Sequence, residues 1–241
     1  MHLSVIIPAY NESKTLKEKV SEYNQYLSAQ NYDYEIIIVN DGSLDDTAEI
    51  SKCLENEISR IRLIDNQINR GKGAAVKQGF QNATGNYQLF LDADGATSIN
   101  HLDKVWEHFQ NGADLVIGTR NSLDADGAWQ KIKQPFWKRS LGKFGNIIIQ
   151  TLSVPGIWDT QCGFKIFKAE AINNIIPQQT VNRWAFDVEL LVIARKKKLN
   201  IAKIPVVWKN SNLSRVGLRG YFTSLKEILK IFLNKISGKY N

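Results

Sequence analysis

Two cysteines in 241 residues, Cys53 and Cys162, are too few and too far apart for a disulfide framework or a zinc site, and they favour a reducing compartment. Nowhere do ~18 apolar residues run together, so no membrane-spanning helix is expected. The amino terminus, "MHLSVIIPAYNE", lacks the basic-then-apolar run and small-residue cleavage site of a secretion signal, which gives the expectation of a cytoplasmic protein. Repeats, low-complexity tracts and long linkers are missing too, and the length suits one large α/β domain with a substantial core. The closest approach to a phosphate loop, "NRGKGAA" (69–75), is neither a Walker loop nor the dinucleotide fingerprint.

Acids are scarce in the second half. Residues 1–120 carry 11 Lys and Arg against 17 Asp and Glu, whereas residues 121–241 carry 20 against 7. The basic half either meets an anionic partner or is a solvated face. No nucleic-acid-binding module surrounds the basic residues, so nucleic acid is not an expected partner. The stretch with most loop formers, "NSLDADGAWQKIKQP" (121–135), is a candidate mobile loop.

What is present is a series of short apolar runs bounded by turn chemistry: "LSVII" (3–7), "YEIIIV" (34–39), "IRLI" (61–64), "YQLFL" (87–91) and "DLVIG" (114–118). Near-continuous Ile, Leu and Val in runs this short predict strands covered on both faces, the habit of parallel sheets. Segments 13–29, 45–57, 73–82 and 99–110 have the length and mixed polarity of crossover helices, with Ser13, Ser43 and Ser98 as candidate caps. Alternation of the two predicts a doubly wound sheet. Later in the chain "TQCGFKIF" (160–167) and "IAKIPVVW" (201–208) read as strands, and "RWAFDVELLVIARKKK" (183–198) as a helix.

Ligands of such sheets bind outside the carboxyl ends of the strands. There the chain places "PAYNE" (8–12), "NDGS" (40–43), "DADG" (92–95) and "GTR" (118–120). In "DADG" the acids at i and i+2 point the same way if the backbone stays extended; the alternative is a polar turn closed by its glycine. As a pair, Asp92 and Asp94 are candidate ligands for Mg2+ or Mn2+, which take carboxylates and complete their shell with substrate phosphates and water. Asp41 could accept from a base N–H or a ribose, Tyr10 offers a stacking ring, and Glu12 offers another acceptor; each also has an ordinary reading as turn, packing or helix-start residue. "NRGKGAA" resembles a glycine-bearing anion cradle at a helix start, with Arg70 and Lys72 either used there or solvated.

Taken together, "VIIPAYNE", "IIVNDGS", "NRGKGAAVKQGF", "FLDADGA" and "GTR" resemble the inverting family 2 glycosyltransferases of GT-A fold. "DTQCGFKIF" and "RWAFDVELL" narrow the resemblance to the dolichyl-phosphate β-glucosyltransferase group. It implies a mixed α/β sheet with a Rossmann-like nucleotide-binding half, and transfer of glucose from UDP-glucose to a polyprenyl phosphate. Carried onto matching positions, Pro8, Tyr10, Glu12, Asp41, Lys72 and Asp92 would hold the nucleotide sugar. Asp92 and Asp94 would hold the metal, Arg120 would meet the acceptor phosphate, and Gln161 would lie near the sugar diphosphate. Arg139 and Arg215 are further candidates for gripping that phosphate through planar donor forks, although the family usually shows Ser-Lys where this chain reads "LSRV". Related mannosyltransferases place a metal-binding glutamine where this chain has Ala96, which leaves Gln161, water or the diphosphate to complete the shell.

A phosphate nucleophile needs little help from a base, because its second pKa is about 6. A saccharide hydroxyl would need one, and Asp187 and Glu189 are the candidates; two residues apart on a helix, they face different ways. A third reading is a non-catalytic module that binds a nucleotide sugar or lipid phosphate. The chain divides into a catalytic domain (1–216) and a basic terminal helix (217–241). In the latter Tyr221, Phe222, Leu225, Ile228, Leu229, Phe232, Leu233 and Ile236 follow a helical period, with Lys226, Lys230 and Lys235 between. Such a helix lies in a lipid interface or packs on its own domain, and the first alternative predicts peripheral attachment to the cytoplasmic face of a membrane.

Overall fold

The computed structural model describes residues 2–130, 145–208 and 218–241. Its centre is a seven-stranded sheet in the order β3-β2-β1-β4-β7-β5-β8. The strands are β1 (Leu3–Ala9), β2 (Tyr34–Asp41), β3 (Ile61–Asn66), β4 (Tyr87–Leu91), β5 (Leu115–Thr119), β7 (Phe164–Lys168) and β8 (Ile201–Pro205). A small second sheet pairs β6 (Trp129–Gln130) with β9 (Val207–Trp208). Helices α1 (Leu16–Ser28), α2 (Thr47–Glu57) and α3 (Lys72–Asn82) make the first crossovers. A 3-10 turn (Ile99–Lys104) leads into a short α4 (Trp106–Gln110), and α5 (Ala169–Ile175), α6 (Phe186–Lys196) and α7 (Leu218–Ile236) follow β7 and β8 as the chain proceeds.

The continuous apolar strands are buried on both sides because successive side chains alternate between faces. Ile6, Ile37, Phe90 and Phe167 pack with α3, α5 and α6 in one core layer. Leu3, Val5, Ile7, Ile36, Leu89 and Ile166 pack with α1 and the 3-10 turn in the other.

Most strands and helices fall where the sequence predicts them, with four differences. Segment 99–110 is a 3-10 turn followed by five α-helical residues rather than one crossover helix. Of the predicted caps only Ser98 acts as one, its Oγ accepting from Asn100 N at 3.3 Å. Helices α1 and α2 begin later than expected, after Thr15 and Asp46, and Ser43 instead accepts from Asn11 N. Lastly, only 164–168 of the segment after Thr160 is strand. It runs antiparallel to both β4 and β5 and lies between them.

That reversal sets the site. An antiparallel β7 starts at the edge where its parallel neighbours end, so its register, Leu91 opposite Phe164, brings the turn 160–163 beside the carboxyl end of β4.

Helix α7 packs on its own domain by one face and leaves an apolar face exposed. Ile228 and Ile231 are buried against the domain, and Glu227 accepts from Trp184 N and Ala185 N ahead of α6. Beyond it, Tyr240 is buried and donates to Glu189 Oε1 at 2.6 Å. Phe222, Leu225, Leu229, Leu233 and Ile236 form the other face, each between 42 and 68% exposed. Among the described residues no helix is long and apolar enough to cross a membrane.

Candidate active site

Asp41 closes β2 with its side chain almost fully buried. Its carboxylate accepts from Arg70 N at 2.9 Å and Gly71 N at 2.8 Å, and its carbonyl accepts from Asn69 Nδ2. Gly42 follows at φ +67°, where a Cβ would press on the backbone at Ile68 and Asn69; only glycine gives this turn so close an approach. Two further amides of the loop, Gly73 N and Ala74 N, donate to the carbonyls of Arg183 and Asn182. "NRGKGAA" is therefore a cradle for the chain's own Asp41 rather than an open phosphate cradle, a correction to the sequence reading. What the loop delivers is Lys72, the first residue of α3.

The Lys72 ammonium lies 2.6 Å from Asp92 Oδ1. Burial opposes its charge, but the fields of Asp92, Asp187 and Asp94 outweigh burial and raise its pKa. Asp92 follows the last residue of β4; its N–H donates to Gly163 O at 3.2 Å, and its carbonyl accepts from Tyr23 Oη. The carboxylate lies directly on the Cα of Gly163, so a Cβ there would sit 2.9 Å from Oδ1 and far closer to Oδ2 and Cγ. Asp94 Oδ1 accepts from Ala96 N at 2.9 Å, which fixes the turn that carries both acids. Gln161 is exposed on the facing turn, two residues before Gly163.

Two hard carboxylates on one short turn suit a divalent cation that draws its other ligands from a diphosphate and water. Among the described residues no three His, Cys, Asp or Glu side chains converge on one point.

The nucleoside side of the edge is built by two loops tied together. Asn11 N donates to Ser43 Oγ, Leu44 N to Asn11 Oδ1, Glu12 N to Thr47 Oγ1 and Ser13 N to Asp45 Oδ2. Pro8 is buried within β1. Tyr10 is 36% exposed beyond the end of β1, and Glu12 Oε2 accepts from Thr15 Oγ1. Asn40, overlooked in the sequence, organises this corner: it donates to Asp65 Oδ1 and accepts from Ser43.

Arg120 reaches the edge from β5, but its fork is closed. Nε and Nη2 each donate to Asp159 at 2.7 Å, its backbone N–H donates to the same carboxylate, and the guanidinium lies over the Trp208 ring. Burial pushes Asp159 up, but the Arg120 charge and hydrogen bonds outweigh it and hold the acid below its ordinary range. Arg120 thus arrives with its charge paired, and the open fork expected for an acceptor phosphate is reduced to the N–H groups that Asp159 does not use. Arg139, Arg215 and the stretch 131–135 of the candidate loop lie outside the described residues.

The acids of α6 do not open to the site. Asp187 is buried and pairs with Lys165 at 2.5 Å. Glu189 is fully buried and accepts from Thr180 N, Thr180 Oγ1, Val181 N and Tyr240 Oη. Cys162 is buried, which pushes its thiol up to about 12 and leaves it unreactive. Gly163, Lys165 and Asp159 carry no role that the sequence alone suggests. All three lie in "DTQCGFKIF", and within it the local physical signal is a lysine inside the apolar run "FKIF", an expensive residue to bury without a partner.

Residues 4–175 match the family model described as glycosyl transferase family 2. A dolichyl-phosphate beta-glucosyltransferase of Dictyostelium discoideum is 39% identical, covering 99% of this chain and 76% of its own length. One from Trichomonas vaginalis is 37% identical over 96% of this chain and 73% of its own, and the human enzyme of that name is 35% identical over 99% and 77%. Among solved structures, glucosyl-3-phosphoglycerate synthase from Mycobacterium tuberculosis with bound UDP superposes with a TM-score of 0.69 at 17% identity, covering 97% of this chain and 79% of that one. The same enzyme with Mn2+, UDP-glucose and phosphoglyceric acid gives 0.66 at 18% identity, with 96% and 79% covered.

Proposed function

The chain belongs to glycosyl transferase family 2, and from that premise we propose that it transfers glucose from UDP-glucose to the phosphate of a polyprenol, with inversion at the sugar. The observation that carries the acceptor class is the commitment of Asp187 and Glu189 to internal partners. A saccharide hydroxyl needs a base within reach of its proton; a lipid phosphate, with a second pKa of about 6, reaches the site already ionised. The non-catalytic reading finds no particular support.

In this reading the loops at 10–13 and 41–45 receive the uridine. Asp92 and Asp94 hold Mg2+ or Mn2+, which when bound offsets the charge that grows on the departing diphosphate. Lys72 adds a fixed positive charge on the same side and contributes more as the leaving group becomes more anionic. Gln161 sits beside the sugar diphosphate, and Arg120, steadied by Asp159 and Trp208, borders the approach of the acceptor phosphate. Positioning and charge neutralisation therefore carry the reaction. The test is to give the purified protein a panel of nucleotide sugars, a polyprenyl phosphate and a polyprenol, and to identify the lipid product by mass spectrometry. The expected product is a hexosyl phosphate lipid formed from UDP-glucose; preferential use of the polyprenol would overturn the acceptor assignment.

A lipid acceptor also gives the exposed face of α7 a use. We place that face in the membrane interface, with Lys226 toward an anionic headgroup layer, a lysine near the surface contributing about 1 kcal/mol; Lys230 instead donates to the domain at Thr180 O. Removing the helix would be a poor test, because Ile231, Glu227 and Tyr240 bind it to the domain. Serine at Leu225, Leu229 and Leu233 together, all exposed, leaves those contacts intact. This triple variant is expected to keep its thermal midpoint and to lose flotation with anionic liposomes; flotation equal to the parent would remove α7 as the anchor.

A further inference from the structure

Lys165 is fully buried, and its ammonium has two close partners: Asp187 Oδ1 at 2.5 Å and the carbonyl of Cys162 at 2.6 Å. It stands directly opposite Phe90 in the β4–β7 ladder, with the ammonium 5.9 Å from that ring, while Lys72 lies 5.2 Å from the same ring. The carbonyl that Lys165 holds belongs to the residue before Gly163, and Gly163 is the surface on which the Asp92 carboxylate rests. Gly163 O in turn accepts from Asp92 N.

We propose that the Lys165–Asp187 pair is a positioning device for the cation site: it pins the 160–163 turn from below and so fixes where the Asp92 carboxylate stands. A buried ion pair contributes little net stability against an apolar pair of similar volume, so a contribution to placement is what its cost would secure. The arrangement also links α6 to the site, because Asp187 occupies the first turn of that helix. Neither residue touches the substrate in this scheme. The inference rests on the assignment of Asp92 and Asp94 to a metal–diphosphate complex.

The test compares the parent, Asp187→Asn and the charge-neutral double variant Lys165→Met/Asp187→Asn. Each is measured by Mn2+ binding in the presence of UDP, by electron paramagnetic resonance, and by thermal midpoint. Loss of an outer residue that orients a metal ligand typically costs about 10- to 100-fold in metal affinity. The double variant lacks the bond to Cys162 O and is expected to lose Mn2+ affinity by about tenfold or more while its midpoint stays near the parent's. Asp187→Asn retains an acceptor for Lys165 and is expected to show a smaller loss of affinity. Parent-like Mn2+ binding in the double variant would overturn the proposal, leaving the pair a purely structural element. Should the double variant fail to fold, Asp187→Asn decides alone: unchanged affinity would refute the proposal and weakened affinity with an unchanged midpoint would support it. A parent that binds no Mn2+ with UDP would instead refute the metal–diphosphate reading itself.

Discussion

Gly163→Ala is expected to lower transfer by about 100-fold without unfolding the protein, the scale that follows when a reacting group is misplaced by about 1 Å. Gly163 is not among the glycines with left-handed φ, so alanine can adopt its backbone and the effect is steric. The new methyl group meets the Asp92 carboxylate head on, and neither neighbour can yield freely. Lys72 holds Asp92 from one side, and Lys165 holds the turn from the other. The carboxylate must rotate away from the turn or β7 must shift along β4, and either displaces a ligand of the cation. Gly145→Ala is the control, since nothing lies within 4 Å of its added Cβ and its φ is not left-handed. Turnover at saturating donor, a Mn2+ titration and the thermal midpoint of both variants check the prediction. Parent-like turnover by Gly163→Ala would mean that the position of Asp92 is unimportant.

Asp94→Asn is expected to cost more, about 1000-fold in kcat/KM, because it removes a charged ligand rather than shifting one. Asparagine keeps an oxygen for the Ala96 N–H, so the turn should hold its shape. With one charge gone, the pairing between Lys72 and Asp92 has less competition from a cation, and excess Mn2+ should not restore the rate. Chelation of the parent with EDTA should produce a comparable loss, reversible on adding the ion back. A parent enzyme that continues at full rate after chelation, alongside an unimpaired Asp94→Asn, would remove the metal from the reaction.

The sequence is most informative where local chemistry and sheet periodicity point the same way. Strands β1 to β5 are short apolar runs, and the carboxyl ends of four of them are marked by "PAYNE", "NDGS", "DADG" and "GTR". Those four clusters are enough to locate the sheet edge that carries the site. Asp41 stands out for its place at the end of β2, but the partners of its carboxylate, the amides of Arg70 and Gly71, lie 29 and 30 residues further along the chain. No local pattern announces such a bond. Arg120 shows the same limit: the residue is visible in "GTR", yet its closure onto Asp159 depends on two loops meeting across 39 positions.

By itself the sequence determined an α/β chain with its polar clusters on one sheet edge, a paired-acid turn after the fourth strand and an amphipathic terminal helix. Those features depend on side-chain alternation, helical period and residue type, all of which are local. The tertiary structure decided that β7 reverses between β4 and β5, that Gly163 becomes the floor beneath Asp92, and that Asp187 and Glu189 turn inward. It also decided which face of α7 is covered. These outcomes depend on strand direction, register and long-range packing, where neighbours in space are distant in the chain and a single amino-acid pattern is compatible with more than one partner.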